Sequence, residues 1–236
     1  MEEMRINKYL ASLGIGSRRA IDKMVDEGRI KVNGERITAG VKVTDKDLIE
    51  IDGKKVKKEV EDKVYYLLNK PLEVLSAASD DRGRKTVVDL IRCKERIFPI
   101  GRLDYNTTGL IILTNDGELF NRVIHPRAEI YKQYYVRVLG EISDNSIEKL
   151  RNGVKLDDGY TLPAIVKLIT REKGKSELEI SIREGRNRQV RRMMDSVNHP
   201  VITLKREKIG KLSLGKLRLG EYRELTQDEI KYLYSL

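Results

Sequence analysis

The chain has 236 residues, 39% of them hydrophobic, enough to build the core of one large domain or of an ordinary domain with a small companion. Charged residues make up 36%, against roughly 25% in an average domain, and 47 Lys+Arg against 37 Asp+Glu give a net +10 that favours a polyanionic partner. One cysteine and two histidines exclude an internal disulfide and argue against a His/Cys metal site, while an N-terminal run without an apolar core and the lack of any apolar stretch near ~20 residues predict a soluble, cytoplasmic protein with no membrane partner.

Ile6, Leu10 and Leu13 are spaced for one face of a short helix that Gly14 ends. Ser17 is a plausible N-cap for a second helix whose buried face carries Ile21, Met24 and Val25, with Gly28 at its C-terminal end. Arg29 to Val32 alternates as a strand, Asn33-Gly34 is a hairpin turn, and Glu35 to Thr38 is the return strand. A third strand covers Leu48 to Ile51 before an Asp52-Gly53 turn. Arg18 and Arg19 fall in the first turn of the second helix, where the macrodipole repels cations. Extension into solvent would cost little; a phosphate held by the arginines and the helix end would remove the conflict, and is the favoured reading.

Lys54 to Lys58 and then Glu59 to Lys63 are charged and aperiodic, and read as a linker. Beyond it, strand-like runs cover Val64 to Leu68, Leu110 to Thr114, Tyr134 to Leu139, Ala164 to Ile169 and Leu178 to Ile182. Helical stretches lie near Thr86 to Ile91, Glu118 to Ile124, Asp144 to Asn152 and Val190 to Val197. The two kinds do not alternate as βαβ units, so the expected class is α+β, with a mixed, mostly antiparallel sheet flanked by helices.

Ile100 to Gly117 is the densest stretch: a loop carrying Arg102 and Asp104 among small polar residues, then a buried strand. An Asp beside an Arg in a loop is most often a local ion pair or an Asx-turn; a rigid scaffold could also present both to a ligand. Further on, Val190, Met193, Met194 and Val197 form an apolar helical stripe that leaves Arg188, Arg191 and Arg192 on other faces. Ile182 to Lys208 holds eight basic and three acidic residues, half the net charge of the chain.

Two resemblances organise these readings. Arg5 to Ala11, Gly16 to Ala20 and Gly28 to Gly34 resemble an S4 RNA-binding domain, which implies that residues 1–60 dock on structured RNA, with Lys8, Arg18 and Arg19 facing it. Gly101-Arg-Leu-Asp104 with Thr108-Gly109-Leu110 resembles the catalytic motif of pseudouridine synthases, and is most similar to the subfamily with an N-terminal S4 domain. Leu68-Asn-Lys-Pro71, Lys132-Gln-Tyr134-Tyr-Val136 and Glu184 to Met193 resemble that family's other motifs, so residues 61–236 are expected to be its catalytic domain. Ser79 to Thr86 resembles the subfamily's large-subunit rRNA enzymes. Glu73 departs from the pattern, because the family usually has glycine there.

The resemblance implies isomerisation of a uridine in rRNA, most simply the 23S RNA of the large subunit, by a monomer that needs neither cofactor nor metal. Asp104 is then the nucleophile, Tyr134 stacks on the target base, and Arg191 pairs with Asp104 and keeps it ionised. Arg102 fills the space left by the extruded base, while Arg186, Arg188 and Arg192 contact phosphates. Three other readings compete: a 16S rRNA target, a non-catalytic ribosome-assembly factor, and an RNA hydrolase. The last has thin support, because Asp104 with Asp116 falls short of a metal-binding carboxylate cluster and both histidines, His125 and His199, precede proline in turn positions.

Overall fold

In the computed structural model, which describes residues 3–57, 62–125 and 129–236, the chain groups into two units. The first ends at Val64 and takes in Cys93–Arg96 and Asn115–Gly117; the second holds the rest. The expected boundary at residue 60, the linker residues 58–61 and the proline after His125 lie outside the described residues.

The first unit contains β1 (Met4–Arg5), α1 (Ile6–Ser12), α2 (Arg18–Asp26), β2 (Ile30–Val32), β3 (Glu35–Arg36), β4 (Lys42–Val43), β5 (Ile49–Ile51) and β6 (Lys54–Lys55). Ser17 caps α2 by accepting the Ala20 N–H. Ile6, Leu10, Leu13, Ile21, Val25, Ile30, Val43 and Ile49 form one buried cluster, so the two predicted helical faces meet each other and the small sheet β3-β2-β5-β6. Asn33 and Gly34 both have positive φ, as a two-residue hairpin turn of matching twist requires. Asp52 and Gly53 repeat this geometry. That second turn corrects the linker reading at its start: Lys54 and Lys55 fold back as β6 on β5. Arg29 fixes the turn with a fork of hydrogen bonds to the Asp52 carboxylate at 2.9 and 2.7 Å.

The second unit is α+β, as expected. It runs β7 (Tyr65–Lys70), a 3-10 turn (Val88–Leu90), β8 (Phe98–Ile100), β9 (Thr108–Thr114), α3 (Gly117–Ile124), β10 (Lys132–Leu139) and α4 (Asp144–Asn152). Then follow β11 (Lys155–Leu156), β12 (Gly159–Tyr160), β13 (Ile165–Glu172), β14 (Lys175–Ile182), α5 (Gln189–Asp195), β15 (Val201–Ile209), β16 (Leu212–Ser213), β17 (Tyr222–Glu224) and α6 (Gln227–Tyr234). The large sheet has the order β13-β14-β10-β15-β9-β7-β17, with β8 also on β9 and β16 on β15. Every pairing in it is antiparallel except β9 with β15.

One transverse row of this sheet matters most. Lys70 pairs with Gly109, Gly109 with Arg206, Arg206 with Tyr134, and Tyr134 with Ile180. Paired residues point to the same face, so Lys70, Arg206 and Tyr134 share one face of the sheet. Along β10 that face also carries Val136 and Val138, fully buried, and Lys132 at its start. Gly109 is required at the parallel junction: a Cβ there would lie 2.2 Å from the Arg206 carbonyl oxygen.

Candidate active site

Asp104 sits between β8 and β9 on a loop held from three sides. Ser76 Oγ accepts from the Leu103 N–H at 3.0 Å and donates to the Leu103 carbonyl at 2.8 Å. The Glu73 N–H donates to the Tyr105 carbonyl at 2.9 Å, and within the loop the Thr107 N–H donates to the Asp104 carbonyl. Arg191 Nη2 donates to the Asn106 carbonyl at 2.7 Å. These bonds fix the backbone and leave the Asp104 carboxylate about one-third exposed, on a loop presented by a rigid sheet.

The Glu73 contact comes from a turn in the left-handed region, at φ 61°. An L-residue there carries a steric penalty that glycine does not. Glu73 is exposed, so Glu73→Gly is expected to stabilise the protein by roughly 0.5–1 kcal/mol. Urea unfolding reads this directly, and a loss of stability would mean that the side chain contributes more than the strain costs.

Three cations surround the carboxylate. Arg188 Nη1 stands 3.9 Å from Asp104 Oδ2 and 3.4 Å from Asn106 Oδ1. Arg191 is buried, and burial and the charge of Arg188 push its guanidinium below the usual value, with Asp104 and Asp195 opposing. Its bonds go to the carbonyls of Asn106 and Val201, so the expected pairing with Asp104 is corrected to a charge interaction. The ion pair within 4 Å belongs to Arg188. Lys70 is fully buried, donates to the Pro71 carbonyl at 2.9 Å, and is held down to about 8 by burial, with the Asp104 charge opposing the fall.

Arg188 reaches Asp104 because its backbone adopts φ 48°, ψ 32° just before α5. Arg186 and Arg192 flank it and converge on Asp158 in the turn between β11 and β12. Arg192 Nη2 donates to Asp158 Oδ2 at 2.9 Å and Arg186 Nη1 to Oδ1 at 3.2 Å; together they hold that carboxyl down to about 2. Arg186 also bonds Glu184 and the carbonyls of Gly159 and Tyr160. Both arginines are thus engaged by protein groups, through which they brace the Arg188 turn. Arg102 is exposed and makes no hydrogen bond or ion pair among the described residues.

Tyr134 is buried on the face it shares with Arg206, while Tyr135 lies on the opposite face, where its hydroxyl accepts from Arg137. In the first unit Lys8, Arg18 and Arg19 are all exposed, the last two beside the α2 N-terminus with no acidic residue in its first turn. Asp116 is buried and ion-paired with Lys63 at 3.0 Å, and the His199 ring nitrogen lies 2.9 Å from the Leu139 carbonyl. Among the described residues no group of three His, Cys, Asp or Glu side chains could hold a metal, and no helix is long and apolar enough to cross a membrane. Ser76, Asp158 and Arg206 were not singled out from sequence. Ser76 and Asp158 carry no local signal, but a charged residue at a position that pairs into a buried row is detectable once the strand is recognised.

Comparison with known proteins adds a second line of evidence. The family model described as RNA pseudouridylate synthase matches residues 64–196, and the S4 domain model matches residues 4–49. The chain is 48% identical to the ribosomal large subunit pseudouridine synthase B of Bacillus subtilis, covering 98% of this chain and 96% of that one. It is 45% identical to an uncharacterized RNA pseudouridine synthase of Aquifex aeolicus, over 99% and 95%. A crystal structure of a pseudouridylate synthase superposes with a TM-score of 0.70 at 30% identity, over 98% of this chain and 99% of that one.

Proposed function

The chain belongs to the RNA pseudouridylate synthase family and carries an S4 domain, and we propose that it converts one uridine of large-subunit (23S) rRNA to pseudouridine with Asp104 as nucleophile. The observation that carries the reading is the Asp104 carboxylate, one-third exposed on a clamped loop with Arg188 at 3.9 Å and Lys70 and Arg191 close by. The 48% identical relative, named for the large subunit, supports the choice of RNA.

The reaction exchanges a bond from C1′ to uracil N1 for a bond from C1′ to C5. The proton leaves C5 and one is gained at N1, so the step is redox-neutral and needs no external electron carrier. A carboxylate can hold the substrate between the two bonds, the logic of covalent catalysis by Asp. Arg188 and Arg191 balance its charge. Tyr134 gives the base an apolar face on which to stack while it turns, worth on the order of 1–3 kcal/mol. Arg102, free of protein partners among the described residues, fills the gap when the base leaves the RNA stack.

Residues 1–60 would serve as the RNA-docking part, through Lys8, Arg18 and Arg19, and residues 61–236 as the catalytic part. Replacing Arg18 and Arg19 together by Glu is expected to weaken rRNA binding and flatten its salt dependence by roughly one unit or more of slope. A wild-type slope in filter binding would return both side chains to solvent. The protein is taken to act as a monomer in the cytoplasm, where rRNA matures.

The test is tritium release from rRNA carrying 5-tritiated uridine, in excess EDTA. Release from large-subunit RNA supports the reading; release from small-subunit RNA alone transfers the same chemistry to 16S rRNA. No release from either RNA overturns it.

A further inference from the structure

Beside Tyr134, on the same sheet face, lie two cations to which the proposed chemistry gives no part. Arg206 is buried at 4% exposure, and its Nε donates to the Leu110 carbonyl at 2.8 Å. Its Nη2 is buried with no hydrogen-bond partner among the described residues. Lys132 begins β10 two residues before Tyr134 and points to the same face, half-buried, and its ammonium makes no hydrogen bond or ion pair among the described residues. Burial and the nearby charge of Arg206 both push that ammonium below its usual value.

Like charges are costly to keep together out of water, and an uncompensated buried donor adds to the cost. Other partly or fully buried arginines of this unit have negative charge at hand: Arg186 and Arg192 pair with Asp158, Arg223 pairs with Glu229, and the buried Arg191 has the charges of Asp104 and Asp195 nearby. Lys132 and Arg206 have no carboxylate partner among the described residues. A neutral uracil on Tyr134 would leave both charges uncompensated in the bound complex. A phosphodiester would neutralise them, with one non-bridging oxygen for the ammonium and one for the guanidinium.

We propose that Lys132 and Arg206 form a phosphate subsite that grips the RNA backbone next to the target nucleotide. The subsite rests on the reading that the RNA strand enters this face at Tyr134. It adds a grip on the target strand inside the catalytic unit, separate from the docking surface of the first unit.

Lys132→Met tests it in the full-length chain, because the substitution keeps an unbranched side chain only one atom shorter and removes its charge. Arg206 is so buried that its replacement could prevent folding, so Lys132 carries the experiment and Lys132→Arg is its rescue. Single-turnover tritium release from 5-tritiated large-subunit rRNA is followed at rising enzyme concentration and at several salt concentrations. The expected result is a half-saturating concentration raised about 10-fold and a salt slope shallower by about 0.7–0.9, the value of one phosphate contact. The maximal rate should stay near wild type, and Lys132→Arg should restore both quantities. A Lys132→Met protein with wild-type half-saturation and slope overturns the subsite, even if its maximal rate falls, since a pure rate effect would assign the charge to the base. If the wild type releases no tritium, it is the isomerase reading that fails. The salt slopes of filter binding to the same RNA then decide the subsite, a difference between wild type and Lys132→Met supporting it and equal slopes overturning it.

Discussion

Asp104→Asn is expected to abolish tritium release, by roughly four orders of magnitude or more, while rRNA affinity stays within about twofold of wild type. The amide is isosteric with the carboxylate and leaves the loop intact, because that loop is tied through backbone atoms: the carbonyls of Leu103, Asp104, Tyr105 and Asn106 all accept hydrogen bonds. Only the charge and nucleophilicity change. Asn lowers the negative charge near the entering RNA, so a drop in affinity is not expected on electrostatic grounds. Lys70 offers an internal check. Its position near 8 reflects burial opposed by the Asp104 charge, and removing that charge should lower it further. Turnover within tenfold of wild type would remove Asp104 from the chemistry. A large loss of RNA affinity would make it a binding residue instead.

The largest effect on stability is expected at Gly109. An alanine there would place its Cβ 2.2, 2.6 and 2.9 Å from the carbonyl oxygen, nitrogen and carbonyl carbon of Arg206, all backbone atoms of the neighbouring parallel strand. The position also has φ 113°, which L-residues rarely adopt. Relief needs β9 and β15 to move apart, which would break the register pairs Thr108 with Lys205 and Gly109 with Arg206. Gly109→Ala should cost about 3 kcal/mol or more, read as a lowered urea midpoint at unchanged m-value. A cost below 1 kcal/mol would show that the two strands can separate cheaply. Activity should fall further than stability alone predicts, because Asp104 lies on one side of this contact and Tyr134 and Arg206 on the other.

Much of this could be read from the chain, for identifiable reasons. The helix capped by Ser17 and the helix Asp144–Asn152 were legible because cap, apolar spacing and terminating glycine agree. The turns at Asn33-Gly34 and Asp52-Gly53 were legible because few residue pairs tolerate positive φ. Strand β15, the centre of the sheet, was not. Val201 to Ile209 holds Lys205, Arg206, Glu207 and Lys208, and a register shift opposite Gln133 and Tyr134 breaks its alternation. Helix α6 was missed although Thr226 and Glu229 form a full capping box. At the site, Asp104, Tyr134 and Arg191 stand in contiguous motifs. The nearness of Arg188 to Asp104 was not legible, since it depends on a left-handed residue and a brace at Asp158 thirty residues upstream.

The parallel contact between β9 and β15 also governs when the enzyme comes into being. Hairpins such as β13–β14, and the pairing of β7 with β9, close over modest stretches of chain, whereas the other edge of β9 must wait for its parallel partner almost a hundred residues later. On the ribosome, the strand bearing the nucleophile's loop emerges long before the strand that places Arg206 beside Tyr134. Partial chains ending before residue 201 can therefore own Asp104 and the S4 domain and still lack a working centre. A nascent copy could hold RNA without altering it, and competence would arrive in one late step, as β15 slots in between β9 and β10.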